Sequence, residues 1–271
     1  MKILITNDDG LNCDGIIKIF EALQKKGFDA RILAPDRNRS AVSMGINMLS
    51  PLEMKKIDEN IFTLSGLPTD CVIHGVCGIF ENWKPDVVIS GINRGANLGS
   101  DLLYSGTAAA ARQASILNIP GIALSLAFVE SKNYKPNLKD SERNYGTLAN
   151  FVANNLENLI KLCSNQNFLN INAPDAEKYN GAKFCNLSKR IYKDKVIPYN
   201  APNGLIYSFF TSEEVKTVPD EKSDFDAVYN GFVALSLVSN QPSLYKIENE
   251  NLESPQNHAE ILEKMCDGFI L

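Results

Sequence analysis

The chain has 271 residues, of which 44% are hydrophobic and 22% are charged, and this length suffices for one large domain or two modest ones. The net charge of -5 and the pI near 5.2 argue against a partner such as polymeric nucleic acid, because those binders depend on lysine and arginine meeting phosphates. A single nucleotide is still compatible with this charge. No apolar run approaches membrane-spanning length, so no membrane partner is predicted.

The cysteine pattern bears on metal binding and location. The 6 cysteines are scattered along the chain, at Cys13, Cys71, Cys77, Cys163, Cys185 and Cys266. Their spacing does not give the usual CxxC pair, and the chain contains only 2 histidines, so a zinc site is not predicted. Free thiols favour a reducing compartment, and the first residues form a strand pattern rather than a signal peptide. We therefore predict a cytoplasmic protein.

The first part of the chain, residues 1–127, alternates strand and helix patterns. The patterns predict strands over 1–6, 30–35, 84–93 and 120–128, and helices over 14–27 and 105–119. Val87, Val88 and Ile89 follow one another without polar alternation, as in a parallel strand that is covered on both faces. This order of elements predicts an α/β protein with a doubly wound, mostly parallel sheet. The stretch "GLPTDCV" predicts a turn that precedes a further helix, with Thr69 or Asp70 as its cap.

The second part of the chain, residues 128–271, follows a different pattern. The polar stretch 129–146 is predicted to be a surface loop, and 148–164 an amphipathic helix. A β-hairpin is predicted over about residues 183–211, because two β-rich segments flank the turn-forming sequence at Ala201–Gly204. The other elements are strands within 168–175 and 224–238 and a closing helix over 257–270. With no repeat or loose linker, residues 1–271 are predicted to form a single domain.

Three polar loops follow predicted parallel strands: "NDDG" at 7–10, "APDRNRS" at 34–40 and "SGINRG" at 90–95. Ligands of doubly wound sheets bind beyond the carboxyl ends of the strands, so we expect these loops to share one site. The adjacent carboxylates of Asp8 and Asp9 repel each other. They are therefore expected either to be exposed to water in an ordinary turn or to have a cation between them. The common location of the loops favours the cation.

The residue types in these loops suit a hard divalent cation. Asp8 and Asp9 supply carboxylates, and Ser40 and Asn93 supply neutral oxygens after two other strands. With water completing the shell, this set predicts one Mg²⁺ or Mn²⁺ ion. Each neutral residue has a simpler alternative, a helix cap for Ser40 and a turn former for Asn93.

The segment "INRGANLGSDLLYSGT" is predicted to bind phosphate. Small residues let backbone N–H groups approach an anion, and a helix N-terminus favours negative charge. The segment is neither a Walker loop nor a GxGxxG fingerprint. The candidate phosphate-binding residues are Asn97, Ser105, Gly106 and Thr107.

Basic side chains near these loops have two interpretations. Arg37, Arg39 and Arg94 can add positive charge near the phosphate or can be solvated surface residues. His74 lies in the apolar stretch "CVIHGV", which indicates a packed histidine rather than a general base.

The chain closely resembles the SurE survival proteins, which are metal-dependent 5'/3'-nucleotidases. The resemblance is carried by "ILITNDDG", "APDRNRSAVS", "GLPTDCV", "PDVVISGINRGANLG", "YSGTAAAA", "LNINAPD" and "SDFDAVYNGFVALSL", in the family's order. It departs from the family at Asp14, where members usually carry proline, and in a longer, more polar loop between Val129 and Tyr145.

The resemblance implies a Rossmann-like core with the active site in residues 1–127. It also implies a homodimer or homotetramer whose C-terminal hairpin and tail exchange between subunits, and one divalent cation per subunit. The implied cation ligands are Asp8, Asp9, Ser40 and Asn93, and the implied phosphate-binding residues are Asn97, Ser105, Gly106 and Thr107.

These observations predict a phosphatase that converts nucleoside 5'-monophosphates, and 3'-monophosphates as well, to nucleoside and phosphate. Asp8 and Asp9 are the candidate catalytic residues: Asp9 as the acceptor of the water's proton, with direct attack by Asp8 left open. A receiver-like module is an alternative, but it needs an accepting aspartate where Asn93 stands. A second alternative is a sensor that binds nucleotides without turnover.

Overall fold

The computed structural model describes residues 1–128, 138–212 and 215–242, and its main feature is a mixed, mostly parallel sheet. The strands in chain order are β1 (Lys2–Thr6), β2 (Asp29–Pro35), β3 (Met54–Asp58), β4 (Ile61–Leu64), β5 (Val87–Arg94), β6 (Gly121–Ala127), β7 (Asn167–Pro174), β8 (Ala182–Phe184), β9 (Arg190–Ile191), β10 (Asp194–Asn200), β11 (Ile206–Ser212), β12 (Lys216–Thr217) and β13 (Val233–Ser239). The α-helices are α1 (Asp14–Lys25), α2 (Pro68–Cys77), α3 (Gly106–Ile116), α4 (Tyr145–Ile160) and α5 (Asp224–Tyr229). Two 3₁₀ turns span Gly99–Leu103 and Asp140–Glu142.

The strand order β3-β4-β2-β1-β5-β6-β7-β13-β8 places β1 inside the sheet. Strand β1 pairs in parallel with β2 on one side and with β5 on the other, so that Ile3 lies opposite both Ala30 and Val87. The strands that follow β1 first in the chain, β2 to β4, therefore lie on one side of it, and β5 and the later strands of this sheet lie on the other side. This reversal between β1 and β5 is the topological switch point at which doubly wound proteins bind ligands. The predicted fold class is confirmed.

Helices cover both faces of the sheet. One buried cluster joins α1 and α4 to the central strands. It contains Ile16 and Ile19 of α1, Leu148 and Val152 of α4, and the strand side chains on this face of the sheet. Cluster residues of α2 and α3, such as Val76 and Ala110, pack on the opposite face. Burial on both faces explains why the central strands read as continuous apolar runs rather than alternating ones.

Two features near residue 60 differ from the sequence prediction. The pair β3 and β4 was not predicted; β3 is exposed along its whole length, so burial leaves no alternating pattern in its sequence. Helix α2 begins at Pro68, with Leu67 as its N-cap, so the predicted cap at Thr69 or Asp70 was wrong. Instead, Asp70 lies in the first turn, where its carboxylate accepts a hydrogen bond of 2.8 Å from the backbone N–H of Leu67.

The C-terminal part also differs in detail. Of the segment 224–238, in which a strand was predicted, the first part forms the short helix α5 and only the second part forms a strand, β13. Ser223 caps α5 by accepting a bond of 3.2 Å from the backbone N–H of Asp226. The two hairpin strands, β10 and β11, span 194–212 rather than 183–211, since β8 joins β13 in the main sheet and β9 pairs with β12.

The described part of the chain ends shortly after β13. Residues 1–240 form one compact unit. The closing helix predicted over 257–270 and the tail lie outside the described residues, so the single domain over residues 1–271 stays a prediction. Within the described ranges, no helix combines the length and the apolar character that crossing a bilayer requires.

Candidate active site

The loop Asn7–Gly10 is a tight turn closed by its own asparagine. The Asn7 side chain donates a hydrogen bond of 2.8 Å to the carbonyl of Gly10 and accepts one of 3.1 Å from the Gly10 N–H. Gly10 has φ of +88°, and a Cβ there would lie 3.1 Å from the Arg37 carbonyl carbon. A glycine is therefore required for the loop to fold and for the segment after β2 to pack against it. Asp8 and Asp9 thus lie in a fixed turn at the end of β1.

Asp8 is bound to the N-terminus of α3. Its Oδ1 accepts a bond of 2.6 Å from the Thr107 hydroxyl, and its Oδ2 accepts one of 3.2 Å from the Thr107 N–H. Only 3% of Asp8 is exposed. Burial raises the pKa of the Asp8 carboxyl to about 6; the bonds from Thr107 oppose this shift and the charge of Asp9 adds to it.

Gly106 makes the close approach of α3 to Asp8 possible. A Cβ at this position would lie 2.8 Å from the Asp8 Cβ and 3.1 Å from the Pro68 Cγ. The preceding residue, Ser105, is the N-cap of α3, and its Oγ accepts a bond of 3.0 Å from the Ala108 N–H. Ser105 therefore begins the helix and also contributes to the cavity described below.

Asp9 is less buried than Asp8 and belongs to a different set of contacts. Its Oδ2 accepts a bond of 3.0 Å from the backbone N–H of Arg94, and the Cys13 thiol lies 3.7 Å from the same oxygen. Burial raises the pKa of the Asp9 carboxyl, against the bond from Arg94. Among the described residues, none donates a hydrogen bond to Asp9 Oδ1, so this oxygen is available to a ligand.

A cavity of about 270 Å³ lies at the carboxyl ends of β1 and β5. It brings together five of the predicted site residues, namely Asp8, Ser40, Asn93, Asn97 and Ser105. The remaining three, Asp9, Gly106 and Thr107, contact residues that line this cavity. All of the predicted candidates therefore converge, although they come from loops that are far apart in the chain.

The two asparagines of the cavity are oriented by hydrogen bonds. Asn93 follows a bulge in β5, and its Nδ2 donates a bond of 3.0 Å to the Gly95 carbonyl, which leaves its side-chain oxygen for a ligand. The backbone of Asn97 exchanges two bonds with the side chain of Asn172, of 2.8 and 2.9 Å, and its Nδ2 donates one of 2.8 Å to Ser125 Oγ. Asn172 and Ser125 were not predicted, although a buried asparagine inside the apolar strand "FLNINAP" was a signal that could have found Asn172.

Three further residues line the cavity and were not predicted as ligands: Ala41, Asp101 and Tyr104. They fall within "APDRNRSAVS" and "INRGANLGSDLLYSGT", but neither periodicity nor spacing separates Asp101 and Tyr104 from their neighbours. Asp101 accepts a hydrogen bond from the Tyr192 hydroxyl, and Arg190 Nε lies 3.4 Å from its other oxygen.

Of the three arginines considered as sources of positive charge near the phosphate, Arg94 lines the cavity, whereas Arg37 and Arg39 do not. Arg94 Nε lies 3.5 Å from a carboxylate oxygen of Asp140. Arg39 forms an ion pair of 3.2 Å with Asp36, and Arg37 is exposed. His74 is half-buried on α2 and does not line the cavity, as expected for a packed histidine.

The oxygen atoms at the cavity suit a divalent cation. Within the described residues, neither Asp8 nor Asp9 has a lysine, arginine or histidine nitrogen at ion-pair distance, and the positive charge of Arg94 acts on Asp9 only from further away. The described residues contain no cluster of three or more acidic, histidine or cysteine ligands, so a cation here needs neutral oxygens as well. Ser40 and Asn93 supply such oxygens, and an all-oxygen set fits Mg²⁺ or Mn²⁺.

The fold and the cavity define a class: doubly wound α/β proteins with an acidic ligand site at the switch point of the sheet. Residues 3–194 match the family described as Survival protein SurE, and the chain belongs to this family. The resemblance stated from the sequence is thereby confirmed.

The relatives of the chain cover nearly all of it. It is 36% identical over 240 residues to the 5'-nucleotidase SurE of Geotalea uraniireducens, covering 87% of this chain and 92% of the relative. It is also 36% identical over 254 residues to the 5'-nucleotidase SurE of Thermoanaerobacter sp. (strain X514), covering 92% and 96% of the two chains. The crystal structure of the SurE protein from Aquifex aeolicus matches with a TM-score of 0.77 and 32% identity, over 97% of this chain and 100% of that chain.

Proposed function

We propose that this chain is a divalent-metal-dependent phosphatase that hydrolyses nucleoside 5'-monophosphates, and 3'-monophosphates as well, to nucleoside and phosphate. Its relatives carry the name 5'-nucleotidase, and the chain is an enzyme of this kind. The observation that carries the proposal is the position of Asp8: its carboxylate is buried, has no cationic partner among the described residues and is bound to the N-terminus of α3 at the edge of an open cavity.

The proposed cofactor is one divalent cation per subunit, Mg²⁺ or Mn²⁺, held by Asp8, Asp9, Ser40 and Asn93. When bound, such a cation supplies Lewis-acid chemistry and lowers the pKa of coordinated water. The protein contributes a fixed donor set, since Thr107 holds both oxygens of Asp8 and Gly95 holds the amide of Asn93.

The phosphate group is proposed to lie at Asn97, Ser105, Gly106 and Thr107. Asn97, Ser105 and Gly106 supply its donors, because the hydroxyl and the N–H of Thr107 both donate to Asp8. The first N–H groups of a helix have no intrahelical acceptor, and among the described residues none accepts a bond from the Gly106 N–H. That group is therefore free to donate to a phosphate oxygen, in the position where the helix dipole favours negative charge. Asn97 is fixed by Asn172 and Ser125 and can present its side chain without reorganisation.

We propose that Asp9 accepts the proton of the attacking water. Its Oδ1 has no protein donor among the described residues, whereas both oxygens of Asp8 accept bonds from Thr107 and are less able to attack phosphorus. A rapid acid quench of the enzyme during turnover of ³²P-labelled AMP should leave no label on the protein. A labelled aspartyl phosphate would assign the nucleophile to Asp8 instead.

Phosphate release separates the proposed enzyme from the rival interpretations. AMP, GMP and 3'-AMP are incubated with the protein in the presence of Mg²⁺, Mn²⁺ or a chelator, with Asp9→Asn as the matched control. We expect release that depends on the cation and is lost in the variant. Saturable nucleotide binding without release would instead support the sensor. The receiver-like module is not favoured, because Asn93 stands where an accepting aspartate is needed.

We further propose a homodimer or homotetramer in which C-terminal elements exchange between subunits. The supporting observation is the hairpin of β10 and β11, which exposes Val196, Ile197, Ile206, Phe209 and Phe210. Isolated hairpins with exposed apolar faces are marginal in water and gain stability by packing. Light scattering after size exclusion should give a multiple of 29.9 kDa, and a monomer would overturn this assembly.

The proposed location is the cytoplasm, since the cysteines of the described residues are free thiols.

A further inference from the structure

We infer that Tyr104 is the specificity-determining residue that recognises the nucleoside part of the substrate, with its ring stacking on the base. This inference depends on the proposed function, because it concerns the part of a nucleotide that the cation and phosphate ligands do not reach. It assigns a role to a cavity residue that takes no part in the proposed chemistry.

The position of Tyr104 places an aromatic ring beside the phosphate-binding residues. Tyr104 directly precedes Ser105 in the chain and lines the same cavity as Asp8 and Asn97. The cavity of about 270 Å³ is much larger than a phosphate group requires, so it has room for a nucleoside next to the phosphate. Tyr104 is 59% exposed, so much of its ring surface is available to a ligand.

The ring is braced from the second part of the chain. Tyr104 packs edge-to-face against Tyr192, with ring centroids 6.4 Å apart and an interplanar angle of 85°. The Tyr192 hydroxyl donates a hydrogen bond to Asp101, and Arg190 Nε lies 3.4 Å from the other Asp101 oxygen. These contacts fix the partner ring, and through it the plane of Tyr104.

The backbone of Tyr104 is fixed as well. Its N–H donates a bond of 3.0 Å to the Asp101 carbonyl, and its carbonyl accepts one of 3.0 Å from the Ser43 N–H. The Ser43 hydroxyl also donates a bond of 2.7 Å to the Leu103 carbonyl. An exposed aromatic side chain that is held at its backbone and at one ring edge loses little conformational entropy when a ligand stacks on it.

This arrangement favours stacking over base-specific recognition. Every base has a π face, so stacking on tyrosine contributes binding energy without selecting one base over another. The inference therefore assigns Tyr104 to discrimination between nucleotides and phosphate esters that lack a base, and it expects purine and pyrimidine monophosphates to be accepted alike.

The test compares AMP with ribose 5-phosphate, which keeps the sugar and phosphate but has no base. We expect Tyr104→Ala to raise KM for AMP roughly ten- to hundredfold, the range of base–aromatic stacking, and to leave KM for ribose 5-phosphate and kcat for both nearly unchanged. Tyr104→Phe keeps the ring and should behave as the wild type. Leu103→Ala is the matched control, because Leu103 is the adjacent residue, is 61% exposed and does not line the cavity.

Two results would overturn the inference: an unchanged KM for AMP in Tyr104→Ala, or an equal loss with AMP and ribose 5-phosphate. Binding is also measured by calorimetry, with the AMP analogue in which a methylene group replaces the ester oxygen. This measurement does not require turnover. A wild-type protein that binds the analogue through Tyr104 but releases no phosphate from AMP would refute the proposed function and leave the inference intact.

Discussion

Thr107 holds both carboxylate oxygens of Asp8, with its hydroxyl 2.6 Å from Oδ1 and its backbone N–H 3.2 Å from Oδ2. The two residues are 99 positions apart in the chain, at the end of β1 and the beginning of α3. The orientation of Asp8 therefore depends on how closely the helix approaches the strand. Asp8 and the N-cap of α3, Ser105, line the same cavity.

Replacing Thr107 with valine tests this relationship. Thr107→Val keeps the shape and the backbone N–H but removes the hydroxyl bond to Asp8. A hydrogen bond to a charged group contributes about 1.5–3 kcal/mol, so we expect kcat/KM for AMP to fall roughly ten- to hundredfold. Thr107→Ser retains the hydroxyl and should keep most of the activity. Equal losses in the two variants would show that packing, rather than the hydrogen bond, is what Asp8 requires.

The close approach of α3 depends on Gly106, and Gly106→Ala should disturb it. Because the added Cβ would lie 2.8 Å from the Asp8 Cβ, the helix or the loop has to move. Overpacking of this kind costs about 1–3 kcal/mol, which should appear as a lower urea midpoint together with weaker Mn²⁺ binding.

Gly146→Ala is the matched control for Gly106→Ala. Gly146 lies in α4, and a Cβ there would meet no atom within 4 Å. Alanine has the higher helix propensity, so this variant should be as stable as the wild type or slightly more stable. If Gly106→Ala matched it in both stability and Mn²⁺ affinity, the close packing around Asp8 would not matter.

The sequence predicted the meeting of distant loops but not their internal contacts. Asp8, Ser40 and Asn93 were placed together because parallel strands deliver their following loops to one edge of a sheet. Thr107 was predicted only as a phosphate-binding residue, since the Asp8 bond depends on the distance between β1 and α3, which no local pattern encodes. Helix α5 has 6 residues, fewer than hydrophobic periodicity needs for detection.

Substituting the acidic pair separates folding from catalysis. Asp8→Asn and Asp9→Asn replace carboxylates that burial already disfavours in their charged form, so both variants should fold normally. Loss of a cation ligand removes several kcal/mol of transition-state stabilisation, and we expect turnover of AMP to fall about a thousandfold or more. Circular dichroism verifies the fold and phosphate release measures the rate. Near-normal turnover in either variant would refute the assignment of the cation site.

Thermal unfolding provides a readout of the cation that does not depend on activity. A ligand at one hundred times its Kd stabilises the folded state by about 2.7 kcal/mol, so Mn²⁺ should raise the Tm of the wild type and a chelator should reverse the rise. Asp9→Asn should show little or no rise. An equal rise in the variant would place the bound Mn²⁺ elsewhere in the protein.

Two buried asparagines of β7, Asn170 and Asn172, form hydrogen bonds with the backbone of Asn97, and their contributions to its position can be compared. Asn172 exchanges two hydrogen bonds with the Asn97 backbone, whereas Asn170 donates a single bond of 3.1 Å to its carbonyl. Asn172→Ala leaves the buried Asn97 N–H without an acceptor, so we expect a loss of about 1–3 kcal/mol in the free energy of unfolding. Because Asn97 then loses its fixed position, KM for AMP should also rise.

Asn170→Ala should have the smaller effect on both quantities. It removes one bond, and the Asn97 carbonyl keeps its bond of 2.9 Å from Asn172. The Asn170 Oδ1 is already buried without a hydrogen-bond partner among the described residues, so its removal relieves an unsatisfied group. Urea denaturation and steady-state kinetics on both variants test the comparison. If Asn170→Ala were as damaging as Asn172→Ala, general packing of β7, rather than the paired bonds from Asn172, would be what positions Asn97.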